Sequence, residues 1–377
     1  MLLVPCPSKC SSRLAGLPSR GAAGRIVCTV DRPLRLLLLS DTHLGFDEPL
    51  RPRSRRPHRG ADFFATYHRA LDIARAERVD AVIHGGDLLY RSRVPDSLVD
   101  RAMAPLVELA EAGIPVFVVP GNHERSSIPR TLFSLHDRLH VFTEPRTFTL
   151  TIGDNRIAIG GFPCVRDGVR ERFSQLVAAT GLMTQSSDAR FLCIHQLVEG
   201  ARVGPSGHAF RDGEEVVRAS DLPRGVTAVL CGHVHRYQVL RGDLSGKPLP
   251  APVIYAGSTE RTSFAEADEA KGFVSLVTGR SSGPAGDQLS IVFRALPARP
   301  MYCRTLGSSP LSTALARLRS SLEHVDPVGI LRVRIPADLA PDSARVIAAV
   351  KAMVASTMIL SFRLPLESKR FSGPNQC

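Results

Sequence analysis

The chain has 377 residues, enough for a large core and more than one domain, and its 44% hydrophobic and 22% charged residues are an ordinary globular composition. No stretch offers about 18 consecutive apolar residues, which excludes a transmembrane helix, and eight cysteines at this length exclude a disulfide scaffold. The net charge of +12, from 48 Lys and Arg against 36 Asp and Glu, favours a polyanionic partner such as nucleic acid. The same charge suits a membrane-surface protein, and an arginine-rich proteome is the blander source of it. There is no C-x-x-C, and Cys193 and Cys231 lie inside apolar runs as small core residues. The compartment is therefore read as reducing and cytoplasmic, with no membrane partner.

Residues 1–33 form a basic N-terminal extension. Met1–Val30 has no acidic residue, carries Lys9, Arg13, Arg20 and Arg25, and lacks the apolar h-region of a secretory signal. It is expected to be a disordered arm or sequence upstream of the true start; a transit-like segment is the third reading. The apolar run Leu36–Leu39 then has the length of a buried strand and leads directly into Ser40-Asp41-Thr42-His43. Gly45–Gly60 follows, with Arg51, Arg53, Arg55, Arg56, Arg59 and three prolines. It reads as a mobile basic loop, either merely solvated or touching phosphate beside the chemistry.

Helical spacing covers Asp62–Arg78 through Phe63, Tyr67, Leu71 and Ile73. A short strand at Asp80–Ile83 runs into His84-Gly85-Gly86-Asp87, and a helix spans Pro95–Ala112. Strand Ile114–Val119 ends in Pro120-Gly121-Asn122-His123-Glu124. Strands near Thr147–Ile152 and Arg156–Gly160 precede a helix at Glu171–Ala179. Phe191–Ile194 ends in His195-Gln196, Thr227–Leu230 ends in Cys231-Gly232-His233-Val234-His235, and Val253–Tyr255 runs into Ala256–Ser263. Early alternation of strands and helices, with strands dominant later, argues an α/β sandwich. A boundary falls near Leu296–Pro300. Beyond it come a helix (Ser312–His324), a strand (Gly329–Ile335), a helix (Ser343–Ser356) and a last strand (Met358–Leu364), the size of a small α+β domain. The expected divisions are 1–33, 34–297, 298–367 and a disordered tail at 368–377.

The strand exits collect Asp41, His43, Asp87, Asn122, His123, His195, His233 and His235. Ligands commonly bind outside the carboxyl ends of strands in open α/β sheets. Aspartate, imidazole and one amide oxygen suit manganese, iron or zinc better than calcium or magnesium, and the lack of a thiolate argues against a structural zinc. The donors are too many for one metal. They suit two divalent ions about 3.5–4 Å apart under a bridging carboxylate, with a bridging hydroxide as nucleophile for in-line phosphoryl displacement. For any one of these side chains a core or supporting role is the plain alternative. Gly85-Gly86, Gly121 and Gly232 each stand just before a ligand, where a sharp turn is expected.

The ordered set DTH, GGD, GNHE, a lone histidine after an apolar strand, and GHVH resembles the signature blocks of the calcineurin-like metallophosphoesterases, from Leu34 to about Phe273. The finer resemblance is to SbcD-type DNA repair exonucleases. It is carried by SDTHLG, by GGDLLYRSRVP (Gly85–Pro95) and by GSTERTSFAEADEAKGF (Gly257–Phe273). It implies a four-layer sandwich followed by a small capping domain that helps grip DNA. It also implies that Asp41, His43 and His235 bind one metal, that Asn122, His195 and His233 bind a second, and that Asp87 bridges them. His123 then faces the scissile phosphate as the catalytic residue. Manganese is the expected ion, with iron(II) or zinc as alternatives. Candidate substrate contacts are Tyr90, Arg91, Arg53, Arg55, Arg56 and Arg261. Tyr90 departs from the family, since some members carry histidine there; tyrosine can still hydrogen-bond phosphate or stack on a base.

The resemblance further implies an SbcC-type coiled-coil ATPase partner and a homodimer through helices between Asp62 and Ala112. The chain has no G-x-x-x-x-G-K-[ST] loop of its own. The leading functional expectation is a nuclease acting on double-stranded DNA ends. The alternatives are a phosphoesterase for small molecules or phosphoproteins, and a DNA-binding scaffold with little catalysis.

Overall fold

A computed structural model describes residues 33–47, 58–124, 136–279, 288–307 and 310–364. The basic extension, Arg51–Arg56 of the basic loop and the tail at 368–377 lie outside the described residues. Strand β1 (Leu34–Leu39) is followed by α1 (Gly60–Ala76), β2 (Ala81–His84), α2 (Asp96–Glu111), β3 (Val116–Val118) and β4 (Leu139–Val141). The hairpin β5 (Arg146–Ile152) and β6 (Asn155–Gly161) leads to α3 (Val169–Ala179) and β7 (Ala189–His195). Two-residue strands follow: β8 (Leu197–Val198), β9 (Arg202–Val203), β10 (His208–Ala209) and β11 (Val216–Val217). Then come β12 (Ala228–Gly232), β13 (Gln238–Gly242), β14 (Pro248–Tyr255), β15 (Gly272–Gly279) and β16 (Gln288–Ala295).

These strands form two six-stranded sheets, ordered β16-β15-β1-β2-β3-β4 and β13-β14-β12-β7-β6-β5. β1 to β4 run parallel, as do β6, β7, β12 and β14, so most exits that carry polar residues point one way. Side-chain alternation along β1 shows how the layers are made. Leu36 and Leu38 enter the core between the sheets with Ile83, Phe117, Phe191 and Leu230. Leu37 and Leu39 face the opposite way, against Phe63, Tyr67, Met103 and Leu106 of α1 and α2. On the outer face of the second sheet, Leu192, Ile194 and Val229 pack with Phe173 and Val177 of α3. Helices, sheet, sheet and helix give the expected four-layer α/β sandwich. Burial of each β1 leucine contributes about 2 kcal/mol, so the run that carries Asp41 and His43 is firmly held.

The C-terminal part differs from expectation. β17 (Met301–Thr305), α4 (Leu311–Ser321), β18 (Ile330–Arg334), α5 (Ser343–Met353) and β19 (Ile359–Arg363) alternate, and β17-β18-β19 is wholly parallel. The layer is therefore βαβαβ, an α/β unit rather than α+β; β17 was hidden because MYCRT is short and only partly apolar. α4 and α5 bury one face of this sheet through Leu318, Val346, Leu331 and Val333. On the other face Met301, Ile330 and Ile359 meet Phe264 and Ala267 of the main body. The described residues cluster as one compact unit. Among the described residues no helix is long and apolar enough to cross a membrane.

Candidate metal centre

The loops after β1, β2 and β3 from one sheet, and after β7 and β12 from the other, converge at one edge of the sandwich. Asp41, His43, Asp87 and His233 there adopt φ of 51°, 45°, 51° and 87°. The left-handed region costs about 1–2 kcal/mol for a side-chain-bearing residue, so the strain is concentrated on the polar exits. Backbone bonds enforce it: the Asp41 N–H donates to Gly86 O at 2.9 Å and the His43 N–H to Asp87 O at 3.0 Å. The His233 N–H donates to both Asp41 carboxylate oxygens at 3.1 Å.

The glycines serve a different purpose from the one expected. Of Gly85, Gly86, Gly121 and Gly232, only Gly86 has positive φ. Close approach decides the others. A Cβ on Gly121 would stand 2.2 Å from Asp87 Oδ1, and one on Gly232 would stand 2.1 Å from Gly85 O.

Three overlapping groups bring ligand atoms within 4.8 Å of one another: Asp41, His43 and His235; His43, Asp87 and His123; and Asp87, His195 and His233. Asp87 is common to two of them. In the first, His43 Nε2 and His235 Nε2 are 2.9 Å apart, with Asp41 Oδ1 3.9 Å from His235 Nε2. In the last, Asn122 Oδ1 lies 3.1 Å from His195 Nε2 and 3.0 Å from His233 Nδ1, and Asp87 Oδ2 lies 3.4 Å from His195 Nε2. Every expected ligand is thus drawn into one place. Two donor sets meet near Asp87, as a bridging carboxylate requires.

Hydrogen bonds select the tautomers. A carbonyl only accepts, so His195 donates from Nδ1 to Gly85 O at 2.8 Å, and His123 donates from Nδ1 to Tyr90 O at 2.5 Å. The Nε2 lone pair of a neutral His195 then faces Asn122 Oδ1 and Asp87 Oδ2, with His233 Nδ1 at 3.2 Å. A proton or a cation held among these atoms relieves the crowding of lone pairs. Left to protons alone, burial works against charge on His195, but the Asp87 carboxylate outweighs it and pushes His195 up to about 9. Burial alone would raise Asp87, yet His195 holds it well below the usual carboxylate range. Burial and then the His195 charge push His233 down to about 3, and burial leads in lowering His43 and in raising Asp41. A divalent cation would replace the shared proton, and the oxygen–nitrogen donor set fits such an ion.

Some residues escaped the sequence reading. Glu124, the last residue of the GNHE block, is buried and accepts the N–H groups of Gly121 at 2.6 Å, Leu89 at 2.8 Å and Asp87 at 3.0 Å. It ties the loops after β2 and β3 together. Arg166 donates to Asn122 O at 2.5 Å. Lys271 and Glu266, buried in the Gly257–Phe273 stretch, pair at 2.6 Å beside His235. A lysine and a glutamate five residues apart leave little sequence signal of a shared burial.

The candidate substrate contacts divide. Tyr90 is half-buried at the rim, edge-on to Phe46, with the exposed Arg91 guanidinium 4.7 Å from its ring centroid. Arg261 is corrected: its guanidinium clamps the carbonyls of Glu266 at 3.1 Å, Arg299 at 2.9 Å and Glu269 at 2.8 Å, a structural use. Arg59 is likewise no solvated loop residue. It is 1% exposed and donates to Arg261 O at 2.5 Å and Glu260 Oε1 at 3.4 Å. Arg53, Arg55 and Arg56 lie outside the described residues.

Residues 34–237 match the model of the calcineurin-like phosphoesterases. Curated proteins described as DNA double-strand break repair protein Mre11 are similar to the chain. That of Methanosarcina mazei is 30% identical over 275 residues, covering 72% of this chain and 39% of its own length. That of Sulfurisphaera tokodaii is 26% identical over 295 residues, covering 77% and 70%, and that of Saccharolobus solfataricus is 26% identical over 216 residues, covering 56% and 52%. The chain therefore spans well under half of the first of these proteins and more than two thirds of the second.

Proposed function

This chain belongs to the calcineurin-like phosphoesterase family, and from that premise we propose that it is a metal-dependent DNA repair nuclease, SbcD-like, that hydrolyses phosphodiester bonds at DNA ends. The observation that carries the proposal is the convergence of two histidine-rich donor sets on Asp87, with His123 beside them. The similarity to double-strand break repair proteins supports DNA as the substrate. A coiled-coil ATPase partner of SbcC type, a homodimer and a cytoplasmic location belong to the same reading.

Asp41, His43 and His235 would hold one divalent ion, Asn122, His195 and His233 a second, and Asp87 both, with manganese the ion proposed. Two such ions supply charge neutralisation on the phosphodiester and a nucleophile at neutral pH. The chain's own residues do the rest. Glu124 fixes the main chain that presents Asp87 and Gly121. The His123 N–H of the backbone holds Asp87 Oδ1 at 3.0 Å. The His123 ring is anchored through Nδ1 to Tyr90 O, which leaves Nε2 on the side of the candidate cluster, 3.7 Å from Asp87 Oδ2, with a third of the side chain exposed. Protonated there, it donates to the departing oxygen of the cleaved strand, a transfer worth about 10²–10⁴ in rate.

The test is end-labelled linear duplex DNA with Mn2+, beside Asp87→Ala and His123→Ala and with a chromogenic phosphodiester in parallel. Both variants should lose DNA cleavage by at least a hundredfold; Asp87→Ala should also lose bound metal, while His123→Ala keeps it. Turnover of the small ester without DNA cleavage would assign a phosphoesterase outside nucleic acids. Tight, salt-sensitive DNA binding with no turnover would leave an enzyme that waits for its ATPase or a scaffold, and adding a candidate coiled-coil ATPase decides between them.

A further inference from the structure

His235 differs from His195 and His123 in how its ring is held. His195 and His123 donate from Nδ1 to neutral backbone carbonyls. His235 Nδ1 instead faces a carboxylate, Glu266 Oε1, at 3.2 Å, with Thr262 Oγ1 at 3.3 Å. Its Nε2 is thereby left to face His43 and Asp41. Glu266 stands on the single turn Phe264–Glu266, and its carboxylate is saturated. Oε1 also accepts the hydroxyls of Thr262 at 2.6 Å and Ser263 at 3.2 Å, and Oε2 accepts Ser258 Oγ at 3.4 Å and Lys271 Nζ at 2.6 Å.

Lys271 is 1% exposed. Its ammonium has three protons and three acceptors: Glu266 Oε2, Glu269 Oε2 at 3.0 Å and the backbone carbonyl of His235 at 3.0 Å. The short segment from Thr262 to Lys271 therefore grips one residue twice, by its ring through Glu266 and by its main chain through Lys271. Burying such charges costs several kcal/mol per ion, and well-packed apolar side chains would fill the same space at less cost. What the charged set supplies is direction. It fixes one imidazole tautomer and orientation, and an anionic partner makes that imidazole a stronger base toward a cation than a carbonyl partner does.

We propose that Glu266, with Lys271 as its counter-charge, is a positioning residue that holds His235 as a ligand and makes the His43–His235 position depend on it while the His195–His233 position does not. This rests on the reading of the two clusters as a metal centre. The test is isothermal titration of the metal-free chain with MnCl2, comparing wild type, Glu266→Ala, Glu266→Gln and Thr262→Val, with thermal midpoints of each metal-free protein. Wild type should bind two ions. Glu266→Ala should lose affinity ten- to hundredfold at one position only. Glu266→Gln, which keeps an acceptor for the Nδ1 proton, should lose less, and Thr262→Val should lose a few-fold. Two wild-type affinities in Glu266→Ala would overturn the proposal. So would a parallel fall at both positions that follows a lowered thermal midpoint, the mark of a merely structural role. If Glu266→Ala does not fold, Thr262→Val decides, and unaltered binding there counts against the proposal. A wild type that binds no Mn2+ overturns the metal centre itself, an outcome distinct from either.

Discussion

His84 ends β2 directly beneath the metal-ligand candidates and is fully buried. Its Nδ1 accepts the Gly86 N–H at 3.3 Å, so Nε2 carries the proton and donates to Thr42 Oγ1 at 3.0 Å, which in turn donates to Leu88 O at 3.1 Å. The chain of bonds uses the neutral ring. Burial, and then the His195 charge, push His84 down to about 3. The folded state therefore resists a proton that the unfolded chain accepts near 6.5. The stability this ring contributes is complete above about pH 6.5 and is lost as pH falls toward 3, at about 1.4 kcal/mol per unit within that window. Urea unfolding of the metal-free protein at pH 7.5 and pH 5 should show about 2 kcal/mol of acid loss in wild type that His84→Gln lacks. Equal losses in the two proteins would show that the ring is not what titrates. The sequence places His84 in a strand exit but cannot say which ring nitrogen is used, because Thr42 and Gly86 reach it only after β1 and β2 pair.

At the scale of elements, β1, β2, β3, β7 and β12 were readable as strands because each is buried along nearly its whole length and leaves an unbroken apolar run. β13 and β17 were not, since their residues are mostly half-exposed and mixed in character. The ligand blocks were readable for the same reason as the strands, each being a polar stop on an apolar run. Their grouping was not: His43 and His235 stand 192 positions apart and meet only when the two sheets stack. Nor does any residue type announce the positive φ of Asp41, His43, Asp87 and His233. The stacking depends on how closely the exits of β2 and β12 approach. A methyl on Gly232 would also stand 2.3 Å from Ser40 Oγ and 2.7 Å from His195 Nδ1. Gly232→Ala must push the exits apart, at about 1–3 kcal/mol or more. It should lower the thermal midpoint and abolish Mn2+ binding. Gly307→Ala, where a Cβ meets nothing within 4 Å, should leave both unchanged. Wild-type metal affinity in Gly232→Ala would show that the exits tolerate separation.

At the scale of the whole molecule, the C-terminal layer is oriented by charge as well as by its apolar seam. The Arg299 guanidinium binds both oxygens of Asp62 on α1 at 2.6 Å and also reaches Val328 O, while its backbone N–H donates to Glu260 at 3.0 Å. Held this way, the face of β17-β18-β19 that meets the main body also turns Arg332, Arg334 and Arg363 toward a cavity of about 780 Å³, with Arg332 over the Phe264 ring. Arg59, Thr262, Ser263 and Phe264 line its other side, and none of the described residues lining it is acidic. Thr262 links the cavity to His235. On the nuclease reading, a polyanion with one phosphate at the candidate metal centre places others among Arg332, Arg334 and Arg363, whereas a small ester occupies the centre alone. With a net charge of +12 behind it, the nuclease reading makes a specific demand. Arg334→Glu with Arg363→Glu, both exposed, should weaken duplex DNA binding and flatten the slope of log affinity against log salt by about 0.9 for each phosphate contact removed. Turnover of a chromogenic phosphodiester should not change. If DNA cleavage and its salt dependence also stay as in wild type, the arginine face contributes nothing to substrate and the cavity is ordinary surface; if the small ester is lost as well, the layer acts through the metal centre and not through phosphate contacts.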